Sequence, residues 1–308
     1  MTVLAFDTSN YTTSVAAFDG AEGKNISRLL DVAPGSLGLR QSDALFSHVK
    51  RLPELTDRLF SNLGAVKIDA VGASTRPRAV EGSYMPCFLA GHSQARVLAA
   101  ALGVPLYEFS HQQGHIAASL WSSGRMDLMD KPHLAWHLSG GTTELLYVTP
   151  EGVSGHAEKI GGTTDISAGQ LIDRTGQLLG LSFPAGKELD RLGRETAVKS
   201  FFRVKVSGTA FSLSGVQNKV QEFHKGNPAE TAAYALRSLI GAIVKATENA
   251  LKTYPGCSVA FAGGVASNTM LREACAGLPA IFCPPQYATD NALGTAVLTW
   301  RTHNAAGL

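Results

Sequence analysis

A twelve-residue stretch of this 308-residue chain occurs twice, as LAFDTSNYTTSV at 4–15 and LAWHLSGGTTEL at 134–145, matched without a gap at an offset of 130 positions. Leu4/Leu134, Ala5/Ala135, Phe6/Trp136, Ser9/Ser139, Thr12/Thr142 and Thr13/Thr143 fall into register. Each copy is a short apolar strand, a polar or glycine turn and a second strand (Ser14–Phe18, Glu144–Val148). A third alternating stretch follows each, near Ile26–Val32 and Val153–Ile160. Helical stripes come next: Ala44, Leu45, Val49, Leu52, Leu55 and Leu59, then Ile166, Leu171, Ile172, Leu178 and Leu179. Buried-looking strands at Ala70–Ala73 and Ser258–Ala262 each lead toward another helix. Two hairpins of similar composition can match by chance, but the matching order of the later elements argues for duplication. The expected architecture is a duplicated α/β domain with a mixed sheet in each half. The boundary is placed near Arg125–Pro132, and an amphipathic helix, Asp290–His303, is expected to pack back across the first half.

Composition narrows the function classes. With 44% hydrophobic residues and a formal net charge of +2, the chain is that of an ordinary globular protein. A broad nucleic-acid face would carry more charge, so any such contact is local. The N-terminus lacks the pattern of a signal peptide, and no apolar stretch reaches the ~20 residues of a membrane span, so a cytoplasmic location without membrane association is expected. Cys87, Cys257, Cys275 and Cys283 lack metal-type spacing and read as small buried residues.

The turns carry the chemistry. Ser139-Gly140-Gly141-Thr142-Thr143 offers backbone N–H groups and hydroxyls to phosphate oxygens, or it is an ordinary glycine hairpin turn. Gly263-Gly264 follows the Ser258–Phe261 strand and leads into a helix read over Asn268–Ala276, a seat for ribose or phosphate. Asn268 either caps that helix or contacts a nucleotide. The chain has no GxxxxGK[ST] and no GxGxxG after a strand, which excludes a P-loop and argues against a dinucleotide fold.

His111 and His115, in HQQGH at the start of a predicted helix, share one helical face at i and i+4 and can reach one metal ion. A third ligand must come from elsewhere. Asp290, after the Pro284-Pro285 loop and at the start of the last helix, is the best candidate; the alternative is a plain N-terminal acid with Thr289 as the cap. A zinc protease needs HExxH, and Gln112 in the glutamate position cannot act as a base, which disfavours peptidase activity.

Taken together, FDTS, HQQGH, LSGGTTELL, the segment 161–186, FSLSGVQ, FAGGVASNTMLRE and PPQYATDNALG resemble, in order and over most of the chain, the universal tRNA threonylcarbamoyl-transferase family (TsaD/Gcp, formerly O-sialoglycoprotease). The resemblance implies a duplicated actin-like, ribonuclease H-like ATPase fold of the actin/heat-shock-chaperone/sugar-kinase superfamily. Its domains would span 1–128, with the terminal segment 287–308 packed back on it, and 129–286. It implies a divalent metal, iron or zinc, on His111, His115 and Asp290. It also implies ATP, AMP or an acyl-adenylate held by Leu138, Ser139, Gly140, Gly141, Thr142, Asp173, Gly186 and Asn268, alongside the Gly263-Gly264 turn. Without the resemblance, Asp173 reads as a surface acid. The implied reaction moves a threonylcarbamoyl group from its adenylate to N6 of a tRNA adenosine beside the anticodon, with no nucleophilic residue required. Relatives work with an ATPase partner and a dimerising paralogue.

Several turns depart from the family pattern. An acidic pair is absent at Tyr11 and Thr12, Thr142 stands where histidine is usual, and the Gly-Pro-Gly loop after the Val71–Ser74 strand is replaced by 76–82, RPRAVEG. Pro184-Ala185-Gly186-Lys187 alters a Pro-Gly-Gly-Pro turn. A divergent paralogue fits these changes. The competing functions are another ATP-dependent phosphotransferase or ATPase on this fold, and a non-catalytic nucleotide-binding scaffold in a protein complex. Arg76, Arg78, Arg203 and Lys205 are candidate phosphate contacts or a solvated surface.

Overall fold

The computed structural model describes residues 1–9, 11–32 and 39–307. Asn10 of the first repeat and Leu308 of the terminal segment lie outside the described residues. The strands are β1 (Thr2–Asp7), β2 (Thr12–Phe18), β3 (Gly23–Leu29), β4 (Ile68–Arg76), β5 (Leu106–Ser110), β6 (His133–Leu138), β7 (Thr143–Thr149), β8 (His156–Thr163), β9 (Val206–Ser207), β10 (Ala210–Phe211), β11 (Val259–Ala262) and β12 (Ala280–Phe282). The helices are α1 (Gln41–Leu63), α2 (Phe88–Leu102), α3 (His111–Ser122), α4 (Ala168–Leu178), α5 (Gly186–Arg194), α6 (Ser214–Phe223), α7 (Pro228–Thr253), α8 (Thr269–Ala274), α9 (Pro285–Ala288) and α10 (Leu293–Ala305). Among the described residues no helix is long and apolar enough to cross a membrane.

The repeat is a repeat of register. One sheet runs β3-β2-β1-β4-β5; the other, read from β8, runs β8-β7-β6-β11-β12, with β10 and β9 added beyond β8. Leu4 lies opposite Ala17 and Leu134 opposite Tyr147; Asp7 lies opposite Ser14 and His137 opposite Glu144. Each antiparallel pair therefore keeps the 130-residue offset. β1 and β4 are parallel, as are β6 and β11, then β4 and β5, and β11 and β12. The contacts divide the chain into one unit of Met1–Lys131, Thr149–Ala157 and Thr289–Leu308, and another of Pro132–Val148 and Glu158–Ala288.

In the first unit, Leu4, Phe6, Val15, Ala17 and Val71 pack against Leu52, Leu55 and Leu59 of α1. The α1 stripe departs from the sequence pattern at one turn: Val49 is exposed, and His48 is buried with its ring Nδ1 2.8 Å from the Thr13 hydroxyl. β3 begins earlier than expected because the Asp19 carboxylate accepts the Ala21 and Glu22 N–H groups and tightens the turn before it. α10 differs most. It starts at Leu293, leaving Asp290 in a turn before it, and it is buried from Leu293 to Thr299 rather than amphipathic. Its small residues permit this: a Cβ on Gly294 would stand 1.8 Å from the Gly114 carbonyl oxygen, so α10 crosses α3 backbone to backbone. Gly114 weakens α3 as a helix former and is explained by that crossing.

In the second unit, Trp136 is fully buried and its indole N–H donates to Thr247 of α7 at 2.9 Å. α7 starts on an Asn227 cap with Pro228 in its first turn. In α4, Leu171 and Ile172 face the core while Leu178 is exposed. β8 ends later than the alternation suggested. Gly162, at φ +117°, lies against the Thr143 backbone, where a side chain would collide at 2.2 Å.

Candidate metal centre and nucleotide-binding turns

His111 and His115 open α3, whose first turn is fixed by a reciprocal capping box between Ser110 and Gln113. Gln113 also donates to the Ser154 hydroxyl at 3.0 Å. Asp290 reaches the same point from the turn before α10: its Oδ1 lies 3.1 Å from His115 Nε2 and 3.5 Å from His111 Nε2. Behind them, His111 Nδ1 is 2.8 Å from Asp7 Oδ2 at the end of β1. The other Asp7 oxygen accepts the Ser9 N–H at 2.9 Å and the Ser9 hydroxyl at 2.6 Å. The His115 side chain is 2% exposed and that of Asp290 24%, so the cluster is most open at Asp290.

Burial opposes charge on every member, and the pairing decides which groups carry it. The His111 ring pays against burial but sits between the Asp7 and Asp290 carboxylates, which raise its pKa to about 10. Burial and the neighbouring His111 charge push His115 down. Burial would raise Asp7 and Asp290, yet His111 and further donors hold both carboxyls below the usual range. The donor set fits a divalent cation: two imidazole nitrogens and one carboxylate oxygen converge. Ligands about 2.1 Å from one ion stand roughly 3.0–3.4 Å apart, close to the separations found here. A carboxylate behind a histidine ligand fixes its tautomer, the place Asp7 occupies.

The candidate nucleotide residues all lie in the second unit. In the β6–β7 turn, Ser139 N–H donates to Thr142 O at 2.8 Å and Thr142 N–H to the Ser139 hydroxyl at 3.1 Å. Gly140 and Gly141 stay exposed, with nothing within 4 Å of where a Cβ would stand. α4 abuts the turn: Ser167 Oγ donates to Gly140 O at 2.5 Å, and a Cβ on Gly169 would meet the Gly140 Cα at 2.5 Å. Gly263, at φ +92°, lies against Leu138, whose carbonyl oxygen would be 2.3 Å from a Cβ, while Gly264 is exposed. Asp173 is half-buried and accepts the Ala185 N–H at 2.9 Å just before Gly186 starts α5; burial raises its pKa and that bond opposes the rise. Asn268 caps α8 through Leu271 N–H at 2.9 Å, and Asp190 takes the N–H groups of Thr269 and Met270. Of the two readings of Asn268, capping is therefore visible.

A sequence profile described as TsaD, tRNA N6-adenosine threonylcarbamoyltransferase, matches residues 38–297. A tRNA N6-adenosine threonylcarbamoyltransferase from Carboxydothermus hydrogenoformans is 34% identical over 258 residues, covering 80% of this chain and 74% of the relative. The chain belongs to the TsaD family. HypF from T. kodakarensis superposes with a TM-score of 0.61 at 16% identity, over 99% of this chain and 48% of that one. A ROK hexokinase from Thermus thermophilus gives 0.51 at 14% identity, over 100% and 99%. The fold is thus the duplicated actin-like fold shared with sugar kinases.

Within this TsaD chain, the structure draws together His111, His115 and Asp290 in one unit. In the other, the 138–142 turn lies against Gly263 and the start of α4, and Asp173 within α4 holds the residue before Gly186. Sequence reasoning gave no role to Asp7. Its signal was an acid directly after the apolar run 3–6, where an unpaired buried carboxylate is not tolerated.

Proposed function

We propose that this protein transfers a threonylcarbamoyl group from its adenylate to N6 of a tRNA adenosine adjacent to the anticodon. The observation that carries the proposal is the convergence of His111 Nε2, His115 Nε2 and Asp290 Oδ1 in a chain of the TsaD family. These residues would hold one divalent ion, iron or zinc, which when bound supplies Lewis-acid stabilisation of negative charge on a carbamoyl or phosphate oxygen. Asp7 accepts the His111 Nδ1 proton and keeps Nε2 turned toward Asp290 as a donor. Gly140 and Gly141 leave their N–H groups to phosphate; among the described residues neither donates to a backbone acceptor. Asp173 and the amide nitrogen of Asn268 are the side-chain groups proposed to face the nucleoside. An exocyclic adenine amine is a weak nucleophile, so positioning supplies much of the rate. An ATPase partner and a dimerising paralogue are proposed by the same family relationship.

The test supplies metal-loaded protein with threonylcarbamoyl adenylate and unmodified tRNA, then identifies the digested nucleosides by mass spectrometry. Modified adenosine, lost in His111→Ala, supports transfer. ATP hydrolysis without modified adenosine favours a second reading, a paralogue turned to ATPase or phosphotransferase work. That reading draws on Tyr11, Thr12 and Thr142, which lie at the starts of β2 and β7 and lack the family's acids and histidine. Nucleotide binding with neither activity leaves a scaffold.

A further inference from the structure

In the first unit the parallel strands β1, β4 and β5 end side by side, at Asp7, Arg76 and Ser110. Ligands of open α/β sheets bind beyond these carboxyl ends. Asp7 and His111 already stand there, and Arg76 is the register partner of Ser110, the residue before His111. The loop that Arg76 opens is fastened to α3. Pro77 O accepts the Gln112 N–H at 3.0 Å, and Arg78 N–H donates to the Ser83 hydroxyl at 3.0 Å. Both arginines are half-buried. Among the described residues the Arg76 guanidinium has no hydrogen-bond or ion-pair partner. A half-buried guanidinium left in this state loses hydration that a bound anion would return. The family pattern has Gly-Pro-Gly in this loop; with the prolines matched, this chain reads Arg-Pro-Arg and gains two permanent cations.

We propose that Arg76, seconded by Arg78, forms a specificity-determining subsite that takes an oxyanion of the substrate, a carboxylate or a phosphoryl group, beside the His111–His115–Asp290 cluster. The guanidinium fork matches either group with two parallel N–H donors. The inference deepens the reading above and rests on it for the identity of the reacting group. The test measures calorimetric affinity of the full metal-loaded chain for N-carbamoyl-L-threonine and, separately, for inorganic phosphate. The proteins are wild type, Arg76→Gln, Arg76→Lys and Arg78→Gln, each with its metal content and unfolding temperature. Arg76→Gln is expected to weaken at least one probe about tenfold, and Arg76→Lys less, because it keeps the charge and loses the fork. A loss confined to the carbamoyl amino acid assigns the carboxylate, and one confined to phosphate assigns the phosphoryl group. If Arg76→Gln misfolds, the lysine variant alone decides. Unchanged affinity for both probes, or no binding of either by wild type, overturns the subsite. Arg76-dependent binding without RNA transfer keeps the subsite and sinks the transferase reading.

Discussion

At the scale of the residue, Asp7 and Gly186 separate structure from ligand. Asp7→Asn keeps the shape and removes the charge that orients His111. Metal affinity should fall by about tenfold to a hundredfold in competition with a chelator; an unchanged affinity would show that the pair serves only folding. Gly186 is the reverse case. A Cβ there meets only the Ile172 side chain at 3.9 Å, and the residue opens α5 without a positive φ. Gly186→Ala should leave the unfolding free energy unchanged or raise it by up to about 1 kcal/mol. A close-approach glycine would then reveal itself by weakened AMP binding alone, and equal affinity would remove Gly186 from the nucleotide site. The sequence made the histidine pair readable because i and i+4 spacing has direct geometric meaning. Asp290, 175 residues from His115, had no spacing to tie it to the pair. Its place after the Pro284-Pro285 loop singled it out, and the family resemblance implied the same residue. Asp7 had no readable role because a single acid in a strand carries no periodic signal.

Elements were legible where a period or a motif marked them, as the stripe of α1 and the HQQGH start of α3 did. β9 and β10, two residues each, left no period to find. The junction beside them is held by Asp165. Its carboxylate accepts from the hydroxyls of Ser212 and Ser214 and the N–H groups of Leu213 and Ser214, at the head of α6. Partial burial raises its pKa, but these four donors prevail and hold it well below 3.8. A depressed folded pKa gives stability that is present above the unfolded value and is lost as pH falls through the folded one. Asp165→Asn should therefore be less stable than wild type at neutral pH, by about 1 kcal/mol after allowance for exposure. The gap in urea midpoints should narrow as pH drops below about 4. A gap constant with pH would mean that the amide disrupts geometry rather than removing charge.

At the scale of the molecule, the 130-residue echo was legible because duplication preserved the register of both strand pairs. What it hid is that the two units are closed differently. The second owns a core from Leu134 to Cys275 drawn from its own segments. The first borrows its last helix from the far end of the chain. Ala292 N–H donates to the Ser14 hydroxyl at 2.8 Å and lies 3.1 Å from Asn25 Oδ1, and α10 then runs buried through Thr299. A chain ending at Ala288 loses Asp290, these bonds and the α10 packing together. Cavities left by single large-to-small changes already cost about 2–5 kcal/mol each, and a domain's whole stability is about 5–15 kcal/mol. The truncated chain should lose the proposed metal site with Asp290, and its slow hydrogen exchange in β1, β4 and α3. Protection in β6, β11 and α7 should persist, because none of their core contacts is removed. Exchange by mass spectrometry resolves the two sets of segments directly. Retained protection in β1 would show that the first unit's sheet and α1 suffice without α10, and collapse of both sets would show that the second unit's core does not stand on its own segments.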